Sequence, residues 1–284
     1  MCGGAAHNAR RVWACQAKGI GVPAGVVMTC VVITGASSGL GAGLAVAMAQ
    51  AGVRLGLVGR DAARLAAVAD ICRARGAEVC VGVLDVTDGA ALAAWLLAFD
   101  DATPVELVIA NAGRSGGTAP GGALEGLEAA VGLVRTNLLG VIHTVEPLLP
   151  RMLARGRGQV AVVASVAAYR GLPDSPAYCA SKAGVRLYGE SLRAALRSKG
   201  IAVSVIVPGF FNSAMSRRFI GPKPALLDTE QAVAIVRRGL ARRAARIVFP
   251  RRLGLPLQIA DLLPARLGDA IMRRFGFWIE REQK

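Results

Sequence analysis

Residues Thr29–Gly41 read TCVVITGASSGLG, and this stretch decides the fold. Its first half, Thr29–Ile33, is a short, mostly β-branched apolar run of strand length. Its second half is dense in glycine and serine and leads into a helical pattern ending near Gly52. Glycines let backbone N–H groups approach a phosphate with no Cβ in the way, and a helix N-terminus adds partial positive charge. The residues so placed are Gly35, Ser37, Ser38, Gly39, Leu40 and Gly41. Tight packing of a helix on a strand is the other use of such glycines, and the rest of the chain bears on the choice.

Outward from that stretch, short apolar runs alternate with helical patterns. The strands predicted are Cys30–Thr34, Arg54–Val58, Val79–Leu84, Val105–Ala110, Gln159–Ser165, Ile201–Val207 and Arg246–Phe249. Nearly continuous apolar strands separated by helices are what a parallel sheet covered on both faces requires. The expected fold class is α/β, a single-domain Rossmann-type doubly wound sheet of about seven strands, and its first βα turn is where such folds hold a dinucleotide. The expected boundaries are 28–250 for the domain, 1–27 for an N-terminal extension that is disordered or precedes a true start at Met28, and 251–284 for a basic amphipathic tail.

The second strand ends at Val58-Gly59-Arg60. An acidic residue at this strand end usually holds the adenosine ribose hydroxyls, whereas a nearby Arg accommodates a 2′-phosphate. With Gly59 in the acidic place and Arg60 beside it, NADP(H) is expected over NAD(H). The alternative is that Arg60 is a solvated residue preceding the next helix.

Composition narrows the class further. The 284 residues, 54% hydrophobic and 19% charged, exclude a disordered chain and leave room for one α/β domain or two small ones. Six cysteines without a CxxC pair argue for reduced thiols over a zinc ribbon or a disulfide framework. Two histidines, His7 and His143, leave few members for a metal site or a Ser-His-Asp triad, and no metal is expected. No charged residue occurs between Gly19 and Val53, but the glycines and serines inside that stretch argue against a lipid-facing helix. Lys18 interrupts the apolar stretch after Arg10 and Arg11, which argues against a signal peptide.

Beyond the glycine loop stand Asp85-Val86, Asn111-Ala112-Gly113, Asn137, Ser165, Tyr178-Cys179-Ala180-Ser181-Lys182 and Pro208-Gly209. In order and approximate spacing the chain resembles the short-chain dehydrogenases/reductases, strongly from Thr29 to Ser213 and more weakly to about Pro250. The resemblance implies hydride transfer between a nicotinamide cofactor and a ketone or aldehyde and its alcohol. Tyr178 and Lys182, four apart on a predicted helix, project from one face. A free phenol titrates near 10, and the Lys182 ammonium with the oxidised nicotinamide would lower it, making Tyr178 general acid in reduction and base in oxidation. By the same resemblance Ser165 holds the substrate oxygen and Asn137, in a helical stretch from about Leu124 to Leu153, positions a water in a relay through Lys182. Asp85 and the Val86 backbone would meet the adenine, and Asn111, Ala112 and Gly113 would line the exit of the fourth strand. Pro208, Gly209 and Ser213 would flank the nicotinamide, and Lys182 would hold its ribose. Ala164 stands where many relatives carry a second Ser.

Substrate specificity is expected in Arg114–Gly122, Val166–Pro176 and Phe210–Leu227, all mostly apolar, so a hydrophobic small-molecule substrate fits. A homodimer or homotetramer through the helices around Leu124–Leu153 and Pro176–Arg197 is the family expectation. The formal charge is +15, and Ser213–Lys284 holds 15 Lys plus Arg against 6 Asp plus Glu. In that tail Leu262, Leu263, Leu267, Ile271, Phe275 and Trp278 recur at helical spacings, a pattern that suits an anionic membrane surface, a dimer contact or a flap over the substrate opening. Nucleic acid is not an expected partner, since no recognition motif appears and the Arg residues are interleaved with Leu. The expected setting is cytoplasmic, with the tail at the inner membrane face. A catalytically idle NADP(H)-binding or membrane-associated scaffold of the same fold is the alternative to an enzyme.

Overall fold

Every expected strand forms within two residues of its expected ends in the computed structural model, which describes residues 29–118, 125–272 and 278–279. The expectations for residues 1–27 lie outside the described residues. From the N-terminal side, β1 (Thr29–Thr34), β2 (Val53–Gly59) and β3 (Glu78–Val83) alternate with α1 (Gly39–Met48), α2 (Ala62–Ala74) and α3 (Gly89–Ala102). The chain then forms β4 (Leu107–Ala110), a helical stretch, β5 (Gly158–Val163), α7 (Pro176–Leu196) and β6 (Ile201–Pro208). After the short α8 (Ala214–Arg217) and β7 (Phe219–Ile220) come α9 (Thr229–Ala241) and β8 (Arg246–Phe249).

The sheet runs β3-β2-β1-β4-β5-β6-β8 with every neighbouring pair parallel. The order reverses between β1 and β4, which opens a crevice at the carboxyl ends of those strands. Alternation explains why the strands read as unbroken apolar runs. Cys30 and Val32 point into one core with Trp95, Phe99, Val141 and Val185, while Val31 and Ile33 point into the other with Leu44, Leu65 and Val236. Both faces are buried, so neither parity of the strand can be polar.

The helical stretch expected from about Leu124 to Leu153 forms in several pieces. It comprises α4 (Leu127–Val134), a π turn at Arg135–Leu139, α5 (Gly140–Val145) and α6 (Leu149–Arg155). Pro150 lies in the first turn of α6 and has no amide to extend the preceding ladder, so α6 starts afresh. The tail departs from a single amphipathic helix too. It forms α10 (Arg251–Asp261), α11 (Ala265–Met272) and β9 (Trp278–Ile279), broken before Pro264, which cannot continue the ladder of α10. The β9 backbone pairs antiparallel with β7. Cys30, Cys72 and Cys179 are buried free thiols.

Candidate active site

The glycine loop lies between β1 and α1, against the exit of β4. Gly35 has φ +67°, and a Cβ on it would stand 2.8 Å from the Ala112 Cα. A Cβ on Gly41 would collide with the Gly35 carbonyl oxygen and the Asn111 side-chain amide. Asn111 locks this arrangement by donating from Nδ2 to the Thr34 and Gly35 carbonyls at 3.0 and 3.2 Å. The Thr34 hydroxyl in turn accepts from the Asn111 and Ala112 amides at 3.2 and 3.3 Å. Sequence reading missed Thr34, although a buried Thr ending an apolar strand is a detectable signal.

At the start of α1, Ser38 is extended and its side chain makes no capping bond, and the first turn carries no acid. The first helical amides lack intrahelical acceptors, so this end suits an anion. Leu40 turns its side chain into the core and offers only backbone. A Cβ on Gly59 would sit 3.4 Å from the Ser37 hydroxyl oxygen, which puts the end of β2 on the flank of the loop. Together these features fit a dinucleotide pyrophosphate.

Arg60 does not stand free. Its Nη1 is 3.5 Å from Asp85 Oδ2, with 64% and 38% of the two side chains exposed. Asp85 also accepts from the Thr87 amide and hydroxyl at 2.9 and 2.8 Å. Burial pushes the Asp85 carboxyl up, but the bonds from Thr87 and Arg60 outweigh it and hold the group below its ordinary range. The Val86 carbonyl is bonded to His143 Nδ1 at 2.9 Å, giving that histidine a structural partner.

Ser165 follows β5 and opens a 3-10 turn at Val166–Ala168, where its Oγ accepts from the Ala167 amide at 3.2 Å. That leaves the Ser165 proton free to donate, and the hydroxyl acts on the phenol of Tyr178 in the first turn of α7. Burial raises the Tyr178 pKa above its ordinary 10, and the Ser165 hydroxyl opposes the shift. One turn on, Lys182 is 5% exposed and donates from Nζ to the Val163 carbonyl at 2.8 Å. Burial brings its pKa down to about 8. The lowering of Tyr178 expected from Lys182 is not seen in the chain by itself: burial dominates, and the ammonium is turned to the end of β5.

Asn137 is fully buried in the π turn. Its Oδ1 accepts from the Arg114 amide at 2.8 Å, while Nδ2 donates to the Arg114 carbonyl at 3.0 Å and the Ser181 hydroxyl at 3.1 Å. Ser181 donates to the Tyr178 carbonyl at 2.7 Å. The side-chain amide is thus spent on protein, tying the turn after β4 to α7. Gly113 marks the meeting point, since a Cβ there would lie 3.2 Å from Asn137 Oδ1 and 3.3 Å from Lys182 Nζ. Ser181 was also missed, though a serine inside a helix commonly signals a local bond.

Pro208 ends β6, and the Gly209 amide donates to the Phe249 carbonyl at 2.6 Å. Ser213 caps α8 reciprocally with Ser216 and lies 3.7 Å from where a Cβ on Gly39 would stand, so it faces the glycine loop with its hydroxyl engaged in the cap. The loops at this edge are stitched together. The Thr118 amide donates to the Asp174 carbonyl at 2.8 Å, the Ser175 hydroxyl to the Gly116 carbonyl at 3.0 Å, and the Ala177 amide to Glu125 Oε2 at 3.0 Å. Phe210 and Phe219 meet edge to face at 4.8 Å in the third loop. Residues 119–122 of the first loop lie outside the described residues. A cavity of about 670 Å³ between Tyr169–Pro173, α7 and Met272 is walled by Cys179, Ala183 and Arg186, and Tyr178 does not line it.

A nucleotide cradle at the crevice of a doubly wound sheet, with a Ser, Tyr and Lys beside it, defines a nucleotide-binding oxidoreductase of Rossmann type. The model of the short chain dehydrogenase family matches residues 29–221, and the chain belongs to that family, whose members act on CH–OH and C=O groups. It is 41% identical over 243 residues to an uncharacterized oxidoreductase of Myxococcus xanthus (strain DK1622), covering 85% of this chain and 95% of that one. Among solved structures it is similar to a short-chain dehydrogenase from Sphingobium yanoikuyae in complex with NADPH, with TM-score 0.69 and 26% identity over 87% of this chain and 93% of that one. The fold is shared as well with a short chain dehydrogenase/reductase from Burkholderia phymatum in complex with NAD, with TM-score 0.74, 24% identity and coverage of 91% and 98%.

Proposed function

We propose that the chain is an NADP(H)-preferring oxidoreductase that interconverts an apolar ketone or aldehyde with its alcohol. The observation that carries this reading is buried Lys182, one turn along α7 from Tyr178, with its Nζ at the end of β5 and 3.3 Å from where a Cβ on Gly113 would stand, beside the glycine loop. In this reading Gly35–Gly41 hold the pyrophosphate, Arg60 the 2′-phosphate, Asp85 and Val86 the adenine, and Asn111–Gly113, Lys182, Pro208, Gly209 and Ser213 the nicotinamide riboside. Bound there, the cofactor supplies the hydride in reduction and accepts it in oxidation. Ser165 donates to the substrate oxygen and orients it. Tyr178, protonated at neutral pH, gives its proton to that oxygen as the carbonyl becomes an alcohol, and takes one back in the reverse direction. The ammonium of Lys182 steadies the phenolate left behind. Asn137 positions Arg114 and α7.

The test is Tyr178→Phe with NADPH and a panel of lipophilic ketones. Turnover is expected to fall at least about a thousandfold with NADPH affinity unchanged, as loss of the proton donor requires. Intact turnover would overturn the mechanism, and a wild type that binds NADPH but turns over nothing would favour the idle scaffold. A second readout is pH. Lys182 carries its charge below about pH 8 and loses it above. For reduction, kcat/KM is expected to be level below that pH and to fall about tenfold per unit above it, since kcat/KM reports groups of the free enzyme. A flat profile to pH 10 would remove Lys182 from the proposed role.

We also infer a homodimer or homotetramer, supported by the exposure of Leu127 at 82% on α4 and Leu187 at 54% on α7. Light scattering on the eluting protein tests it, and a monomer at micromolar concentration refutes it.

A further inference from the structure

The tail has two sides, and only one is used by the domain. In α10, Leu253 and Leu257 pack on the core and Gly254 is buried. In α11, Gly268 and Met272 are buried, and Asp269 reaches Arg170 at 3.1 Å. Leu253 also lies where a Cβ on Gly209 would come within 3.0 Å, so α10 sits on the corner after β6. These contacts, with the β7–β9 pairing, dock the tail beside the loops of the candidate site.

The outer side is apolar and basic together. Arg252, Pro256 and Ile259 follow one another at i, i+4 and i+7 on α10 and are all exposed. Ile259 is 62% exposed, Leu262 in the turn 84% and Leu267 on α11 51%. Arg251, Arg252 and Arg266 are exposed among them. Among the described side chains of the tail the one carboxylate, Asp269, is spent on Arg170.

We propose that this outer surface of α10 and α11 docks the protein on an anionic lipid bilayer, with Ile259, Leu262 and Leu267 entering the headgroup boundary and the arginines meeting lipid phosphates. Three observations choose this occupant. Protruding aliphatic side chains interleaved with Arg match an interfacial helix, which couples apolar insertion to anionic attraction. A second copy is disfavoured, because a two-fold contact through the same patch would set Arg251, Arg252 and Arg266 against their own copies in a chain of net charge +15. Nucleic acid would meet the arginines but gives Leu262 nothing to bury against, and the patch offers no aromatic ring for a base to stack on among its described side chains. No helix among the described residues is long and apolar enough to cross a membrane, so the association is one of lying on the surface.

The experiment is co-sedimentation of the full chain with vesicles of phosphatidylcholine plus phosphatidylglycerol, and with phosphatidylcholine alone. The full chain is expected to sediment with the first and not with the second. The variant Ile259→Ser/Leu262→Ser/Leu267→Ser keeps every charge and is expected to bind the anionic vesicles at least tenfold more weakly, with an unchanged melting temperature. The control Arg237→Gln/Arg242→Gln removes two charges on or beside α9, which packs on the opposite face of the sheet, and is expected to bind within twofold of the wild type. Full-chain protein that ignores anionic vesicles overturns the proposal. So does an apolar variant that binds like the wild type, which would mean adsorption by net charge alone, and so does one that loses self-association while vesicle binding is unchanged. Vesicle binding needs no turnover, so its failure and the failure of the enzymatic reading are separable.

Discussion

Three helices, α1, α2 and α3, each follow a strand and start at the same edge of the sheet, yet their starts are chemically different. Asp61 caps α2 by accepting from the Arg64 amide at 2.9 Å, and Asp88 caps α3 by accepting from the Ala91 amide at 3.0 Å. Ser38 makes no such bond at α1, and no acid occupies that first turn. Topology supplies positive helix ends in triplicate, and a carboxylate neutralises two of them. The proposed nucleotide site is therefore marked by what α1 lacks, together with glycines that let backbone come close.

The comparison breaks most sharply if α1 is made like its neighbours. Ser38→Asp would place a carboxylate where the pyrophosphate is proposed to lie. Affinity for NADPH and NADH is expected to fall at least about a hundredfold, roughly 3 kcal/mol by the affinity scale, through like-charge repulsion. The fold should not suffer, because Asp is a good N-cap and favours a helix start. Nicotinamide fluorescence titration beside a thermal melt reads both quantities. Unchanged affinity in a folded variant would mean that the start of α1 is not the anion site.

A smaller effect sharpens the comparison at the start of α2. There Asp61 serves the helix while Arg60 leans on Asp85 across 3.5 Å. An ion pair this exposed contributes little, so Arg60 is cheaply released to another anion. Arg60→Ala is expected to weaken NADPH about tenfold, near 1.4 kcal/mol, while leaving NADH within about twofold, because a 2′-phosphate contact exists only in the former. Equal loss for both nucleotides would assign Arg60 to the loop and not to the phosphate.

What could be read without coordinates follows the same physics. The strands were legible because burial on both faces makes them continuous apolar runs, and β2 is buried at every position. Ser165, Tyr178 and Lys182 were legible because motif spacing on a strand end and a helix carries them. The acceptor for Lys182 was not, because it is the Val163 carbonyl, and backbone partners have no letter in the sequence. Nor was the π turn around Asn137, since Arg135–Leu139 has no proline or glycine to announce it. Arg60 was read as a phosphate ligand, and its pairing with Asp85, 25 positions away, depends on the register of β2 with β3. The tail was read as one helix because apolar spacing outweighed Pro264.

The smallest effects belong to the two capped helices and serve as the control. Asp88→Ala is expected to destabilise the fold by about 1 kcal/mol, the usual value of an N-cap, with nucleotide affinity unchanged. At α2 the same logic gains a pH signature. The backbone bond from Arg64, then its side chain, hold the Asp61 carboxyl below its ordinary 3.8. A folded-state value below the unfolded one gives stability that is present above pH 3.8 and lost as the pH falls through the lower value. The melting-temperature gap between wild type and Asp61→Ala should therefore be open at pH 7 and narrow in acid. A gap that stays constant into acid would mean that the ionised carboxylate is not what caps α2. The contrast with α1 would then rest on glycine geometry alone.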